Sequence, residues 1–354
     1  MTNDLHQADE NTGTMEVLDR HQFDVPSLEN YMQEHVEGFE GKISVEEFKG
    51  GQSNPTYKVI TPKQSYVLRR KPPGKLLKSA HAVDREYTVI TALNQTDVPV
   101  PKSYALCEDE DVIGTAFYIM EFKDGRVLWD PAMENSDQDE AKGVYESMNE
   151  SMAKLHSVDP DKIGLSNYGK PGNYVGRQVS RWSKQYLDSE TETIESMNNL
   201  IEWLPNNLPT EKKTGIVHGD YSLTNVMIGK SDPNVIAILD WELSTLGDPC
   251  ADFNYHCLQY TMNPKLADKE YCKQQGIPVI DDYVKIYSER INIDLTEEWD
   301  LYTAYNLFKL AGILQGILGS VRDGTAAHEN AAERASGVRN LSDTAWDLVE
   351  KNFL

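Results

Sequence analysis

Apolar positions along the chain repeat with two periods. From Ser27 onward, Leu28, Tyr31, Met32, His35 and Val36 recur at spacings of three and four, which predicts a helix with Ser27 as its N-cap. Two strand-like runs follow, over 46–49 and 57–59. Between them lies Gly50-Gly51-Gln52-Ser53-Asn54-Pro55, small and polar, the composition of a loop. A strand is predicted over 66–71, ended by Pro72-Pro73-Gly74, and then a helix from near Ser79 that carries Arg85-Glu86-Tyr87. Val98-Pro99-Val100-Pro101 reads as a rigid extended connection. Residues 115–122 read as a strand opening into a hinge at Lys123-Asp124-Gly125.

Beyond that hinge the pattern is helical. Val144, Met148, Met152 and Leu155 share one face of a helix that ends over 155–160. Over 173–186, Val175, Val179, Trp182 and Tyr186 form an apolar stripe, while Arg177, Arg181 and Lys184 line another face. That basic stripe is either a solvated surface or a place for an anionic ligand. Helices are predicted again over 281–289, 301–321 and 335–352. One stretch interrupts them: Val226, Met227 and Ile228, a polar turn holding Pro233, and a β-branched run over 235–239 predict a β-hairpin. Residues 1–24 are polar and rich in acids, Asn and Thr, and read as a flexible tail.

Composition narrows the class. The chain has 354 residues, 39% of them hydrophobic, enough for two lobes with separate cores. No apolar run approaches the roughly 20 residues that span a bilayer, and the polar, acidic start resembles neither a signal nor a transit peptide. Cys107, Cys250, Cys257 and Cys272 lack C-x-x-C spacing, so they read as free thiols of a cytoplasmic protein rather than zinc ligands. Fifty-seven acidic residues against 34 basic ones give a formal charge of −23, which argues against a nucleic-acid partner. The same charge suits either a cationic small molecule or plain solubility.

The hairpin stands at the centre of the candidate chemistry. Asp220 precedes Asn225 by five residues, and Asp240 follows fifteen later, just past the second strand. Folding the hairpin brings the Asn225 amide near the Asp240 carboxylate, with Asp220 on the loop before it. Asp and Asn are hard oxygen ligands suited to Mg²⁺, which keeps waters and phosphates in its shell. A separate carboxylate near an acceptor hydroxyl is what phosphoryl transfer needs as base or orienter. His218 is expected to shape the loop, Asp248 and Asp252 to brace it or cap the following helix, and Glu242 to reach the metal region or the acceptor.

The order Asp, Asn, hairpin, Asp is that of the protein-kinase catalytic loop and its metal-binding Asp. Here the triplets are His218-Gly219-Asp220 and Asp240-Trp241-Glu242, followed by Gly247-Asp248-Pro249 and Asp252. With those departures the chain resembles the aminoglycoside phosphotransferase (APH) family of small-molecule kinases, from about residue 27 to the end. Val67-Leu68-Arg69-Arg70-Lys71-Pro72-Pro73-Gly74, Arg177-Gln178-Val179-Ser180-Arg181-Trp182 and the run from Leu239 to Pro249 are similar to one branch, the phosphotransferase domains related to those fused to acyl-CoA dehydrogenases. Lys309 stands where Arg is expected in that branch.

The resemblance implies an α+β, protein-kinase-like fold of two lobes. These are an N-terminal lobe over 25–122, with antiparallel sheet and one main helix, and a mainly helical C-terminal lobe over 123–354 that holds the catalytic loop (216–252) and the acceptor site. It implies ATP and Mg²⁺ as cofactors, with the acceptor hydroxyl on a hydroxyacyl-CoA, an aminoglycoside, or a choline- or homoserine-like alcohol. Asp220 is then the catalytic residue, and Asn225 and Asp240 hold Mg²⁺. Gly50, Gly51, Ser53 and Asn54 cover the phosphates. Arg69, paired with Glu86, contacts the phosphates, although strand alternation leaves Lys71 on the same face and equally available. Met120, Glu121 and Phe122 present the hinge backbone to adenine, and Glu242, Arg177, Arg181 and Lys184 face the acceptor. A nucleotide-binding pseudokinase is the reading from another class. No A-P-E segment follows Asp240, which argues against a protein kinase. Oligomeric state cannot be read from these patterns.

Overall fold

In the structure, a computed structural model, residues 12–49, 54–73, 82–325 and 331–354 are described. The chain divides into two units. One takes residues up to Tyr168 together with Asp220–Ser244 and Gln274–Ile277, and the other takes Gly169–Gly219, Thr245–Lys273 and Pro278–Leu354. The hairpin and the helix after the hinge belong with the sheet.

Six strands make the sheet of the first unit: β1 (Thr14–Met15), β2 (Ser44–Phe48), β3 (Thr56–Ile60), β4 (Ser65–Arg70), β5 (Ser103–Cys107) and β6 (Phe117–Glu121). Their order is β1-β2-β3-β4-β6-β5, antiparallel throughout. Alternation sorts their side chains onto two faces. Tyr57, Val59, Tyr66, Leu68, Phe117 and Ile119 pack with Leu28 and Met32 of helix α1 (Val25–His35) into one core. The intervening positions Lys58, Val67, Arg69, Tyr118 and Met120 point to the opposite face, where they line a cavity. Both faces of β4 are thus covered, and the strand is buried from Tyr66 to Arg70.

Helix boundaries depart from the periodic reading in instructive ways. Helix α1 is capped by Asp24, whose carboxylate accepts from Ser27 N at 3.0 Å, so Ser27 lies inside the first turn. Helix α2 (Val83–Leu93) starts later than expected, and Ser79 lies outside the described residues. Helix α3 (Gln138–Ser157) starts at an Asp137 cap, before the apolar stripe begins. Nor do residues 12–24 form a tail. Thr14 and Met15 pair with Phe48 and Glu47, and Leu18 N donates to the Glu47 carboxylate at 3.0 Å.

The predicted hairpin forms as β8 (Val226–Gly229) and β9 (Val235–Ile238), closed by Gly229 N to Asn234 O at 2.9 Å. The expected hinge is partly strand. Its β7 (Gly125–Arg126) joins β8 to complete a three-stranded sheet. Gly125 is required by that close pairing, since a Cβ there would sit 2.6 Å from Ile228 O.

The second unit is helical apart from a short ribbon of Gly215–Val217 with Thr245–Gly247. Its main helices are α4 (Tyr174–Ser189), α5 (Glu195–Trp203), α6 (Pro249–Cys257), α7 (Ile280–Ile291), α8 (Trp299–Arg322) and α9 (Val338–Phe353). Helix α8 offers Gly312, Gly316 and Gly319 to α4, and a Cβ at Gly319 would approach Ser189 Cβ to 2.5 Å. The apolar stretch around residue 315 is therefore a close helix contact, and the buried Gln315 within it donates to Ser189 O at 2.6 Å. Among the described residues no helix is long and apolar enough to cross a membrane. All four cysteines are free and buried.

Candidate active site

Arg69 faces the cavity because Tyr66 and Leu68, on the opposite pleat of β4, are committed to the core. Its Nε lies 2.9 Å from Glu86 Oε2 and its Nη2 lies 2.8 Å from Asp240 Oδ1. Glu242 Oε2 stands at the edge of the same cluster, 4.0 Å from Nη2. Glu86 occupies the apolar face of α2 among Val83, Val89 and Ile90, and Asn54 Nδ2 and Tyr118 Oη also donate to it, each at 3.0 Å. Burial pushes the Glu86 carboxyl up to about 6, against the downward pull of Arg69. Burial also opposes the Arg69 charge, yet Glu86 foremost among its neighbours raises this guanidinium above its ordinary range. Lys71, the alternative on the same face, instead lies 3.8 Å from Asp84.

Asp240 reaches Arg69 from a backbone that few side chains adopt. It has φ of 60° and ψ of 68° at the end of β9, a left-handed conformation that Asp tolerates better than most residues. Leu239 N donates to Asn225 O at 2.8 Å, which ties the hairpin's exit to its entry, as its folding predicts. Asn225 Nδ2 in turn donates to Asp220 O at 2.9 Å and to Asp220 Oδ2 at 3.0 Å. With its nitrogen so engaged, the amide keeps Oδ1 for another partner. Tyr221 anchors the loop to α3, its hydroxyl donating to Met148 O at 3.1 Å.

The stem that leads into Asp220 is gripped within the second unit. Asp252, in the first turn of α6, accepts from His218 N at 2.7 Å and Gly219 N at 2.9 Å. Lys309 Nζ lies 3.5 Å from Gly219 O and 4.0 Å from the Tyr255 ring centroid. His218 is fully buried. Asp248, expected as loop support, caps α6 through Cys250 N and accepts from Tyr302 Oη at 2.7 Å. Between the two aspartates, it is Asp252 that holds the loop's main chain. Burial pushes the Asp248 carboxyl up to about 6, opposed by the Tyr302 hydrogen bond.

The cavity of the first unit measures about 890 Å³. Val67, Met120, Met227 and Ile238 give it apolar walls, and Arg69, Asn225 and Asp240 a polar end. Glu121 and Phe122 line it as well. The Phe122 ring stacks on Phe48 at 6.5 Å, with Lys58 Nζ 4.5 Å over it. Sequence reasoning missed Tyr118, a further donor to Glu86, although its place two residues before Met120 on β6 puts the two on one face. Thr12, Gly13 and Thr14 also line the cavity, and no hydropathy signal marks them.

Other expected site residues lie in the second unit or outside the described residues. Gly50, Gly51 and Ser53 lie outside the described residues. Arg177 on α4 donates to the carbonyls of Gly172 and Lys170, Arg181 lies over Trp182, and Lys184 pairs with Asp188 one turn on. The basic stripe is thus engaged by neighbours on its own helix and in the turn before it.

A family model described as "APH: Phosphotransferase enzyme family" matches residues 44–300. The chain belongs to this family. It is 39% identical over 317 residues to mouse acyl-CoA dehydrogenase family member 10, a match that takes 88% of this chain but 30% of that protein. Across the curated relatives, the chain spans between 30% and 46% of their length. A solved Ralstonia eutropha structure, provisionally named an aminoglycoside phosphotransferase, is 48% identical, with a TM-score of 0.87 over 93% of this chain and 99% of that one. The APH(4)-Ia phosphotransferase, solved as a ternary complex with AMP-PNP and hygromycin B, shares the fold at 13% identity, with a TM-score of 0.59 over 91% of this chain and 98% of that one. Its fold is α+β and kinase-like.

Proposed function

We propose that the protein transfers the γ-phosphoryl group of ATP, bound with Mg²⁺, to the hydroxyl of a hydroxyacyl-CoA. The observation that carries the nucleotide reading is Arg69, held between Glu86 and Asp240 at the polar end of an otherwise apolar cavity. The cavity volume falls within the roughly 300–1,000 Å³ of small-molecule sites. Its apolar walls suit a base, and its guanidinium suits phosphate oxygens. The ternary complex of a fold relative with AMP-PNP supports the same assignment.

The donor set fits Mg²⁺ held partly by substrate. Asn225 Oδ1 and the Asp240 carboxylate are hard oxygen ligands, too few for a closed protein cage and suited to an ion that keeps phosphates and waters. Among the described residues, no group of three or more His, Cys, Asp or Glu forms a metal cluster. When bound, the ion would neutralise charge developing on the phosphates. The chain's own part is positioning. Arg69 orients the phosphates, Asn225 fixes the Asp220 carboxylate, and Asp220 takes the proton of the acceptor hydroxyl. The acceptor oxygen bonds to the γ-phosphorus as the bond to the β-phosphate oxygen breaks, and ADP leaves.

The acyl-CoA part rests on relatives named as acyl-CoA dehydrogenases, whose match covers most of this chain. The 48% identical phosphotransferase favours a second reading, an aminoglycoside acceptor. The experiment is Mg²⁺-dependent ADP release with hydroxyacyl-CoAs, aminoglycosides, or choline- and homoserine-type alcohols, comparing wild type with Asp220→Asn. Turnover with hydroxyacyl-CoAs alone, lost in the variant, is expected. Turnover confined to another pool replaces the acceptor. Tight ATP binding with no turnover in any pool favours the pseudokinase.

A further inference from the structure

We infer that the N-terminal strand is a working wall of the nucleotide site, an inference that rests on the cavity being the ATP site. Residues 12–21 lie outside the stretch matched by the family model, yet Thr12, Gly13 and Thr14 line the cavity beside Phe48. The segment is stapled to β2 from both faces. Thr14 Oγ1 donates to Glu46 Oε2 at 2.6 Å, and the buried Glu47 accepts from Leu18 N at 3.0 Å and meets His21 Nδ1 at 2.6 Å. Behind it, Tyr57 Oη and Arg70 Nη2 both donate to His21 O, at 3.0 and 2.9 Å. A buried carboxylate and a buried guanidinium are costly to leave unpaired, so this attachment is a built part of the unit.

The strand also holds the end of β2. Lys49 N donates to Gly13 O at 3.1 Å, one residue before Gly50. Main-chain pairing at that point holds the end of β2 in line. Nucleotide affinity therefore depends on β1 in two ways: through direct wall contacts and through the restrained end of β2.

Two variants test this: deletion of residues 1–15, which spares the Leu18 and His21 contacts, and Met15→Pro, which removes the ladder donor that faces Glu47 from β1 in the full chain. AMP-PNP with Mg²⁺ is titrated by calorimetry, and thermal unfolding is followed in parallel. The expected result is a Kd raised by about tenfold in both variants, with cooperative unfolding retained. An unchanged Kd in either folded variant overturns the inference while leaving the nucleotide assignment intact. A full chain that binds no AMP-PNP overturns the nucleotide assignment and this inference with it. If the deletion does not fold, Met15→Pro decides alone.

Discussion

Arg69 Nη2 and Asp240 Oδ1 lie 2.8 Å apart, joining a strand cation to a metal-ligand candidate 171 residues later. The guanidinium holds the carboxylate proposed to take Mg²⁺. Phosphate and metal arriving together would loosen that pair, because each offers one partner a new counter-charge. Arg69→Lys is expected to keep the fold but raise KM for ATP by about tenfold, since a point charge cannot serve Glu86 and Asp240 as a fork does. Asp240→Asn is expected to lower kcat by about 10²–10³-fold. Steady-state kinetics at saturating acceptor check both.

Asp252 satisfies two buried main-chain donors with one carboxylate. Asp252→Ala leaves both N–H groups without that partner, at a cost on the order of 2–4 kcal/mol. Chemical denaturation measures the loss, and kcat should fall in protein that still folds, because the loop carrying Asp220 is released.

Asp248 is predicted to shape stability against pH. Its folded pKa of about 6 stands above the ordinary value of 3.8, so the native state holds its proton more tightly than the unfolded chain. The associated stability is present below pH 3.8 and is lost as pH rises through about 6. In Asp248→Asn, which keeps a capping side chain, that slope should be absent. The unfolding free energy of wild type relative to the variant should fall by on the order of 1–3 kcal/mol between pH 4 and 7.

Gly125→Ala should break the pairing of β7 with β8, since its Cβ would meet Met227 Cγ at 2.5 Å and Ile228 O at 2.6 Å. A loss on the order of 1–3 kcal/mol is expected in denaturant titration.

The sequence disclosed which polar residues come together better than it disclosed element boundaries. Asp220, Asn225 and Asp240 were legible because a hairpin converts sequence spacing into proximity, and Arg69 because alternation in β4 leaves it one face. Asp248 and Asp252 were not separable by type. Both open the same helix, and only its phase decides that one caps the end while the other reaches back one turn to the loop. The strand at Thr14–Met15 was invisible, because two residues cannot display a period and their attachment is written in Glu46 and Glu47 of the partner. The Asp24 and Asp137 caps lay ahead of the first apolar position, where periodicity has nothing to measure.

Asp252 and Lys309 address the peptide groups of His218 and Gly219, and every residue except proline offers the same N–H and C=O. The grip is therefore blind to side-chain identity at 218. Gly219, with φ of 87°, is restricted by its own backbone rather than by its holders. Kinase-like loops that read differently at these two letters can be held the same way, and relatedness is better sought in an aspartate one helical turn past the cap than in the triplet itself.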